Sequence, residues 1–222
     1  MLSNVETSYK TQFGPDARDI RDLTILIIGD TEGTGRRTAA LLAEHGARIF
    51  FAAQNSAALE DTLEEIRQSG GKSAGAVIDL SHPEGVRRCF EEAAGSFGPV
   101  QALVNTLAVE HRLSQAGDPQ LEKRLENLQN ACTQEALMRL QGAARAQIIN
   151  VGQIKHDPAA LGMAAGLRRQ ARELGIRVTM VEPGDRQRDC TDEVARCVLG
   201  SLVQPFGVDA IFLYEQGSQP VL

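Results

Sequence analysis

A chain of 222 residues with 42% hydrophobic and 23% charged positions is long enough to bury one sizeable core and too apolar to be disordered, and no shift in composition divides it in two. The formal charge of −6, with Lys and Arg scattered among more numerous Asp and Glu, leaves no basic stripe for a nucleic acid. No apolar run reaches the length of a membrane span and the N-terminus is polar, so the expected setting is the cytoplasm, with neither membrane nor nucleic acid as partner. Cys89, Cys132, Cys190 and Cys197 form no C-x-x-C pair and read as buried reduced thiols, so no metal is expected.

In chain order, residues 1–21 lack a clear period and are expected to form an N-terminal arm, with 22–222 as one domain. An unbroken apolar run at Leu23–Ile28 then reads as a strand buried on both faces, as in a parallel sheet. Further strands are expected at Arg48–Ala53, Ala74–Leu80, Val100–Asn105, Gln147–Val151, Ile176–Val181 and Ala210–Tyr214. Helices are expected between them at Thr38–Gly46, Ala57–Ser69, Pro83–Phe97, Gln120–Leu140, Pro158–Leu174 and Asp192–Val203. This alternation specifies an α/β fold: a Rossmann-type, doubly wound, mostly parallel seven-stranded sheet with helices on both faces.

The first strand runs directly into Gly29-Asp30-Thr31-Glu32-Gly33-Thr34-Gly35, with a helix expected to open near Arg36. Glycines there permit a sharp turn and a close approach of backbone to a diphosphate, which the amides and dipole of the following helix attract without a cationic side chain. Three glycines in seven also suit a plain turn; the place immediately after strand one is what favours the phosphate reading.

The spacing G-x-x-x-G-x-G resembles the short-chain dehydrogenase/reductase family, and the likeness runs over roughly residues 22–216. It continues through Asp79 in Val77-Ile78-Asp79-Leu80, Phe97-Gly98 leading to Leu103-Val104-Asn105, and Gly175-Ile176-Arg177-Val178 with Pro183-Gly184. The resemblance implies NAD or NADP bound by Gly29, Thr31, Gly33, Thr34 and Gly35 at the diphosphate, and by Ala53, Gln54, Asp79 and Leu80 around the adenosine. Asn105 falls where the family begins an Asn-Asn-Ala-Gly run, here Asn105-Thr106-Leu107-Ala108, beside the nicotinamide ribose. Asp79 and Asn105 also suit a strand-end cap and a turn. Ala53-Gln54-Asn55 carries no ribose-binding carboxylate, which leans toward NADP with Arg36 or Arg37 as 2′-phosphate partners, although Glu32 opposes this and a surface role suits Arg37.

The family's catalytic Ser and Tyr-x-x-x-Lys have no counterpart. Gln153 stands at the Ser position, and the only tyrosines, Tyr9 and Tyr214, lie at the two ends of the chain. The segment between the two motifs reads as deleted, with Asp157-Pro158 now opening the next helix and Gly175 closing it, and a second shortening follows Pro183-Gly184. Lys155 and His156 are the candidate catalytic residues that remain, just past strand five where a ligand of an open α/β sheet lies; His111 is a weaker one, and all three also read as solvated loop residues. Ala159, Gly162, Met163, Gly166 and Leu167 share a helix face that fits either sheet packing or an oligomer contact: a homodimer, a homotetramer, or a mixed oligomer with an intact relative. The functional expectations are therefore a catalytically degenerate dinucleotide-binding subunit, an atypical NAD(P)-dependent oxidoreductase, or an oligomerisation module that binds no cofactor.

Overall fold

The computed structural model describes residues 18–29, 31–79, 82–107, 119–152, 158–183, 191–204 and 211–213. The elements alternate as β1 (Thr24–Ile28), α1 (Gly33–Glu44), β2 (Arg48–Ala53), α2 (Ser56–Gln68), β3 (Lys72–Val77), α3 (Pro83–Phe97), β4 (Ala102–Asn105) and α4 (Pro119–Arg139). They continue as β5 (Gln147–Val151), α5 (Pro158–Glu173), β6 (Arg177–Glu182), α6 (Thr191–Val203) and β7 (Ile211–Leu213). The seven strands form one sheet in the order β3-β2-β1-β4-β5-β6-β7, with every neighbouring pair parallel. The order reverses between β1 and β4, which places the topological switch point, where open α/β sheets bind ligands, at the carboxyl ends of those two strands.

All five residues of β1 are buried because both faces of the sheet are covered. Ile25, Ile27, Ile49, Phe51, Val104, Ile149 and Val181 pack against α1, α2 and α6. The alternate residues Leu26, Ile28, Phe50, Leu103 and Ile148 pack against α3, α4 and α5. Successive strand residues thus feed opposite cores, which is the period of two expected of a pleated strand.

Several boundaries differ from the sequence reading. The first helix opens at Gly33, so Gly33 and Gly35 lie inside its first turn and the expectation of a start near Arg36 is corrected; Thr34, Thr38 and Ala39 are buried there, and packing overrides the poor helix propensity of the glycines. Strand β3 begins at Lys72 and ends at Val77, because its frame is set by pairing with β2 from Arg48↔Lys72 to Ala53↔Val77, and Asp79 falls beyond its end. The last residues of the expected arm pack on the domain: Ile20 is fully buried and the Arg18 amide donates to Val203 O at 2.7 Å.

At the amino end of the sheet, side chains from β5 and β6 cap the carboxyl end of α6. Gln147 Nε2 donates to Ser201 O at 2.9 Å, Arg177 Nη1 to Gln204 O at 2.8 Å and Arg145 Nη2 to Leu202 O at 3.5 Å, while Arg145 Nη1 also reaches Asp19 O. Cations at a helix carboxyl terminus complement its dipole. Burial, with mutual repulsion between Arg177 and its neighbours Arg18 and Arg145, holds the Arg177 guanidinium below the ordinary arginine range. Cys89 and Cys132 are buried free thiols and Cys197 is a half-buried one, while Cys190 lies outside the described residues. Burial pushes the Cys89 thiol up to about 12 and Cys197 up to about 11, and raises Cys132 further with a contribution from neighbouring Cys89. No helix among the described residues is long and apolar enough to cross a membrane.

Candidate functional site

The site begins where β1 stops. The Gly29 amide donates to Ala52 O at 3.2 Å and the Thr106 amide to Ile28 O at 2.9 Å, so the chain leaves β1 held between β2 and β4. A Cβ on Gly29 would stand 1.9 Å from Thr106 Oγ1; glycine is required there by a neighbouring side chain as well as by the turn. Beyond Asp30, which is outside the described residues, buried Thr31 accepts a hydrogen bond from Thr62 Oγ1 of α2 at 3.2 Å through its carbonyl oxygen. Gly33 opens α1 at φ +56°, a left-handed conformation that favours glycine. Extended Glu32 precedes it and makes no side-chain capping bond, and the first turn holds no acidic residue, so the positive end of the helix dipole is not neutralised from within the helix. Thr34 and Gly35 are buried in that first turn.

On the β2–β3 side, Ala53 is buried and Gln54 exposed, while Asn55 Oδ1 accepts from the Ala57 amide at 3.1 Å and caps α2. The Ile78 amide donates to Ala53 O at 2.9 Å, which brings exposed Asp79 to the carboxyl end of β3 beside the end of β2; Leu80 lies outside the described residues. Arg36 and Arg37, the possible 2′-phosphate partners, each enter surface ion pairs, as the surface role read for Arg37 implies. Arg36 Nε donates to Glu65 Oε2 at 2.7 Å, and Arg37 pairs with Asp192 at 2.5 Å and with Glu44 at 3.7 Å. The hydrogen bond from Arg37 to Asp192 raises that guanidinium further above its ordinary value.

On the β4–β6 side, Asn105 is fully buried at the end of β4. Its Oδ1 accepts from the Leu107 amide at 3.2 Å, whereas its Nδ2 and the Thr106 Oγ1 are buried without a hydrogen-bond partner. Asn105 is in register with Asn150 on β5, whose Nδ2 donates to Thr133 Oγ1 at 3.1 Å. Thr133 Oγ1 donates in turn to Gln129 O at 2.9 Å, and Gln129 Nε2 is buried with no partner. Asn150, Thr133 and Gln129 were not anticipated from sequence. Their signal was a polar residue, Asn150, inside the strand Gln147–Val151, together with two polar residues four apart on α4. Glu182, at the end of β6, was also missed, and its Oε2 is likewise buried and unpartnered. Lys155 and His156, the candidate catalytic residues, and His111 lie outside the described residues. No cluster of metal-ligating side chains occurs among the described residues.

These residues fit a dinucleotide. A left-handed glycine at a helix start suits a diphosphate, and buried donors left open at the carboxyl ends of the strands suit a polar ligand crossing the switch point.

The strand order, the switch point and the glycine turn together define a Rossmann-type doubly wound α/β protein. Residues 23–155, more than half of the chain, match the family described as short chain dehydrogenase. The chain belongs to that family. Among its relatives, the short chain dehydrogenase/reductase dpchG of Colletotrichum higginsianum is 32% identical over 99 residues, which take in 45% of this chain and 37% of the fungal protein. The chain therefore spans little more than a third of that relative's length. The (2S)-[(R)-hydroxy(phenyl)methyl]succinyl-CoA dehydrogenase subunit BbsD of Thauera aromatica is 27% identical over 183 residues, covering 74% of this chain and 73% of that one. Among solved structures, a metagenomic short-chain oxidoreductase in complex with NADP superposes with a TM-score of 0.69 at 21% identity, over 92% of this chain and 99% of that one.

Proposed function

We propose that the chain binds NADP or NAD as a short-chain dehydrogenase does, without dehydrogenase turnover, and serves as a regulatory, structural or cofactor-responsive subunit. The observation that carries this reading is an asymmetry about the switch point. The turn from β1 into α1 keeps its glycines and its uncapped helix start, whereas β5 ends at Val151 and α5 begins at Pro158. The family's Ser after strand five and its Tyr-x-x-x-Lys on the next helix find no counterpart, since Gln153 stands at the Ser position and α5 contains no Tyr. In this reading Gly29, Thr31, Gly33, Thr34 and Gly35 surround the diphosphate, Ala53, Gln54, Asp79 and Leu80 the adenosine, and Asn105 the nicotinamide ribose. The end of β2 carries no carboxylate to repel a 2′-phosphate and a structural neighbour holds NADP, which leans the reading toward NADP over NAD, with Glu32 in the turn counting against it. The assembly is a homodimer or homotetramer, or a mixed oligomer with an intact relative.

A second reading, an atypical oxidoreductase that takes its proton from His156, Lys155 or water, is favoured by the buried unpartnered amides of Asn105 and Gln129 on the β4–β6 side. Calorimetric titration with NADPH and NADH, paired with thermal shift, tests the cofactor claim: heat and stabilisation are expected with at least one, and silence with both leaves only an oligomerisation module. A carbonyl panel followed by loss of reduced-cofactor absorbance separates the two readings. Turnover that His156→Ala abolishes would overturn the non-catalytic one.

A further inference from the structure

Among the described residues Glu182 is the one carboxylate at the carboxyl end of β6, and the alternation of that strand fixes its side. Val181 packs into the core beneath α1, α2 and α6, so Glu182 faces the opposite layer, the side to which Asn150 in register with Met180 belongs. The Gly152 amide donates to Val181 O at 3.0 Å, so β5 and β6 end level with each other. Glu182 Oε2 is buried without a hydrogen-bond partner, and Glu182 enters no ion pair among the described residues. Among the described residues, the other open groups on this side, Asn105 Nδ2, Thr106 Oγ1 and Gln129 Nε2, are uncharged. Glu182 as a whole is half-buried, and a carboxylate oxygen that is buried without a partner is unfavourable unless a donor or a cation arrives to face it.

In a doubly wound fold the β1–β3 half takes the adenosine mononucleotide and the β4–β6 half takes the nicotinamide one. The nicotinamide ring is a cation when oxidised and neutral when reduced. We propose that Glu182 makes this chain selective for the oxidised dinucleotide, so that it responds to the redox state of the cofactor pool and not merely to its presence. The inference rests on the dinucleotide reading above. One uncompensated unit charge in a cleft of intermediate dielectric changes the binding of a facing cation on the order of tenfold.

The test is calorimetric titration of the full chain with NADP⁺, NADPH, NAD⁺, NADH and ADP-ribose, in the parent, Glu182→Gln and Glu182→Asp. The oxidised form is expected to bind about tenfold more tightly than the reduced form in the parent. Glu182→Gln brings the two affinities within about twofold, Glu182→Asp keeps most of the preference, and ADP-ribose, which lacks the nicotinamide, binds all three proteins alike. An oxidised-to-reduced ratio that Glu182→Gln leaves unmoved, or a parent that prefers the reduced form, overturns the proposal while the cofactor reading stands. Failure of every probe, ADP-ribose included, overturns both.

Discussion

The same substitution at two glycines of α3 is expected to change stability in opposite directions. Gly85 and Gly95 both lie in the helix Pro83–Phe97. A Cβ on Gly85 would stand 1.8 Å from the backbone oxygen of Asp79 and 2.9 Å from its carbonyl carbon, whereas a Cβ on Gly95 meets nothing within 4 Å. Reaching even 3.0 Å from Asp79 O requires a displacement of 3.0 − 1.8 = 1.2 Å, and the obstacle is main chain, which cannot rotate away as a side chain would. Overpacking of this kind costs roughly 1–3 kcal/mol, against the ~1 kcal/mol by which Ala exceeds Gly in helix propensity. With a main-chain obstacle the cost lies at the upper end of that range, so Gly85→Ala should lose about 3 − 1 = 2 kcal/mol net, and Gly95→Ala should gain up to about 1 kcal/mol. In a chain of this length that is a Tm lower by roughly 4–8 °C for the first and higher by roughly 2–4 °C for the second. Scanning calorimetry and urea midpoints of the unliganded proteins measure both. Because the clash bears on Asp79, ADP-ribose binding should weaken in Gly85→Ala and stay at the parent value in Gly95→Ala. Shifts of the same sign at the two positions would refute the close approach of α3 to the loop after β3.

Gly33→Ala forces a side chain into φ +56° and is expected to cost about 1 kcal/mol in urea unfolding, with weaker dinucleotide binding by calorimetry because the first-turn amides of α1 are re-aimed. Thr133→Val deprives Asn150 Nδ2 of its acceptor in the interior and should cost about 1–3 kcal/mol, while Thr133→Ser, which keeps the hydroxyl, should lose less. The Cys89 thiol, shifted by burial from 9.0 to about 12, ionises in the unfolded chain first. Its contribution to stability is therefore complete below pH 9 and lost as the pH climbs toward 12, so urea midpoints should fall less over that range in Cys89→Ala. At pH 8 iodoacetamide should leave Cys89 and Cys132 unlabelled in the folded chain and label both in urea, as read by mass spectrometry.

The sheet was legible because burial on both faces leaves a plain mark. The runs at Leu23–Ile28 and Gln147–Val151 are nearly free of charge, and Pro83, Pro158 and Gly175 fall at helix ends where fixed φ or a left-handed residue is tolerated. The start of α1 was not legible, because Gly33-Thr34-Gly35 disfavours a helix and forms one only once Thr34, Thr38 and Ala39 are buried. The frame of β3 was hidden because an edge strand takes its limits from its partner, and the residues Lys72–Val77 alone do not say where β2 ends. Of the site, the glycine turn is a local signal confined to seven positions. The set formed by Asn105, Gln129, Thr133, Asn150 and Glu182 is assembled by three strands and a helix, and no sequence window contains it.

The two ends of the sheet treat their buried polar groups differently, and this difference is what separates framework from site. At the amino end Gln147 bridges the Arg177 guanidinium, at 2.6 Å, and Ser201 O, and the guanidinium goes on to Gln204 O. Arg48 and Arg145 each keep a buried Nε without a partner there, but both hand other N–H groups to backbone carbonyls. At the carboxyl end Asn105 Nδ2, Thr106 Oγ1, Gln129 Nε2 and Glu182 Oε2 are all left open. An unmet buried polar atom costs about 1–3 kcal/mol, and apolar residues of the same shape would remove that cost. Polar groups left open in this way are physically reasonable where a ligand or ordered water completes them. The sequence contains no Tyr-x-x-x-Lys, and that fact is independent of the presence of these groups. In the reading proposed above, recognition needs only the ends of β4 and β6, and those strands are held in register through β5.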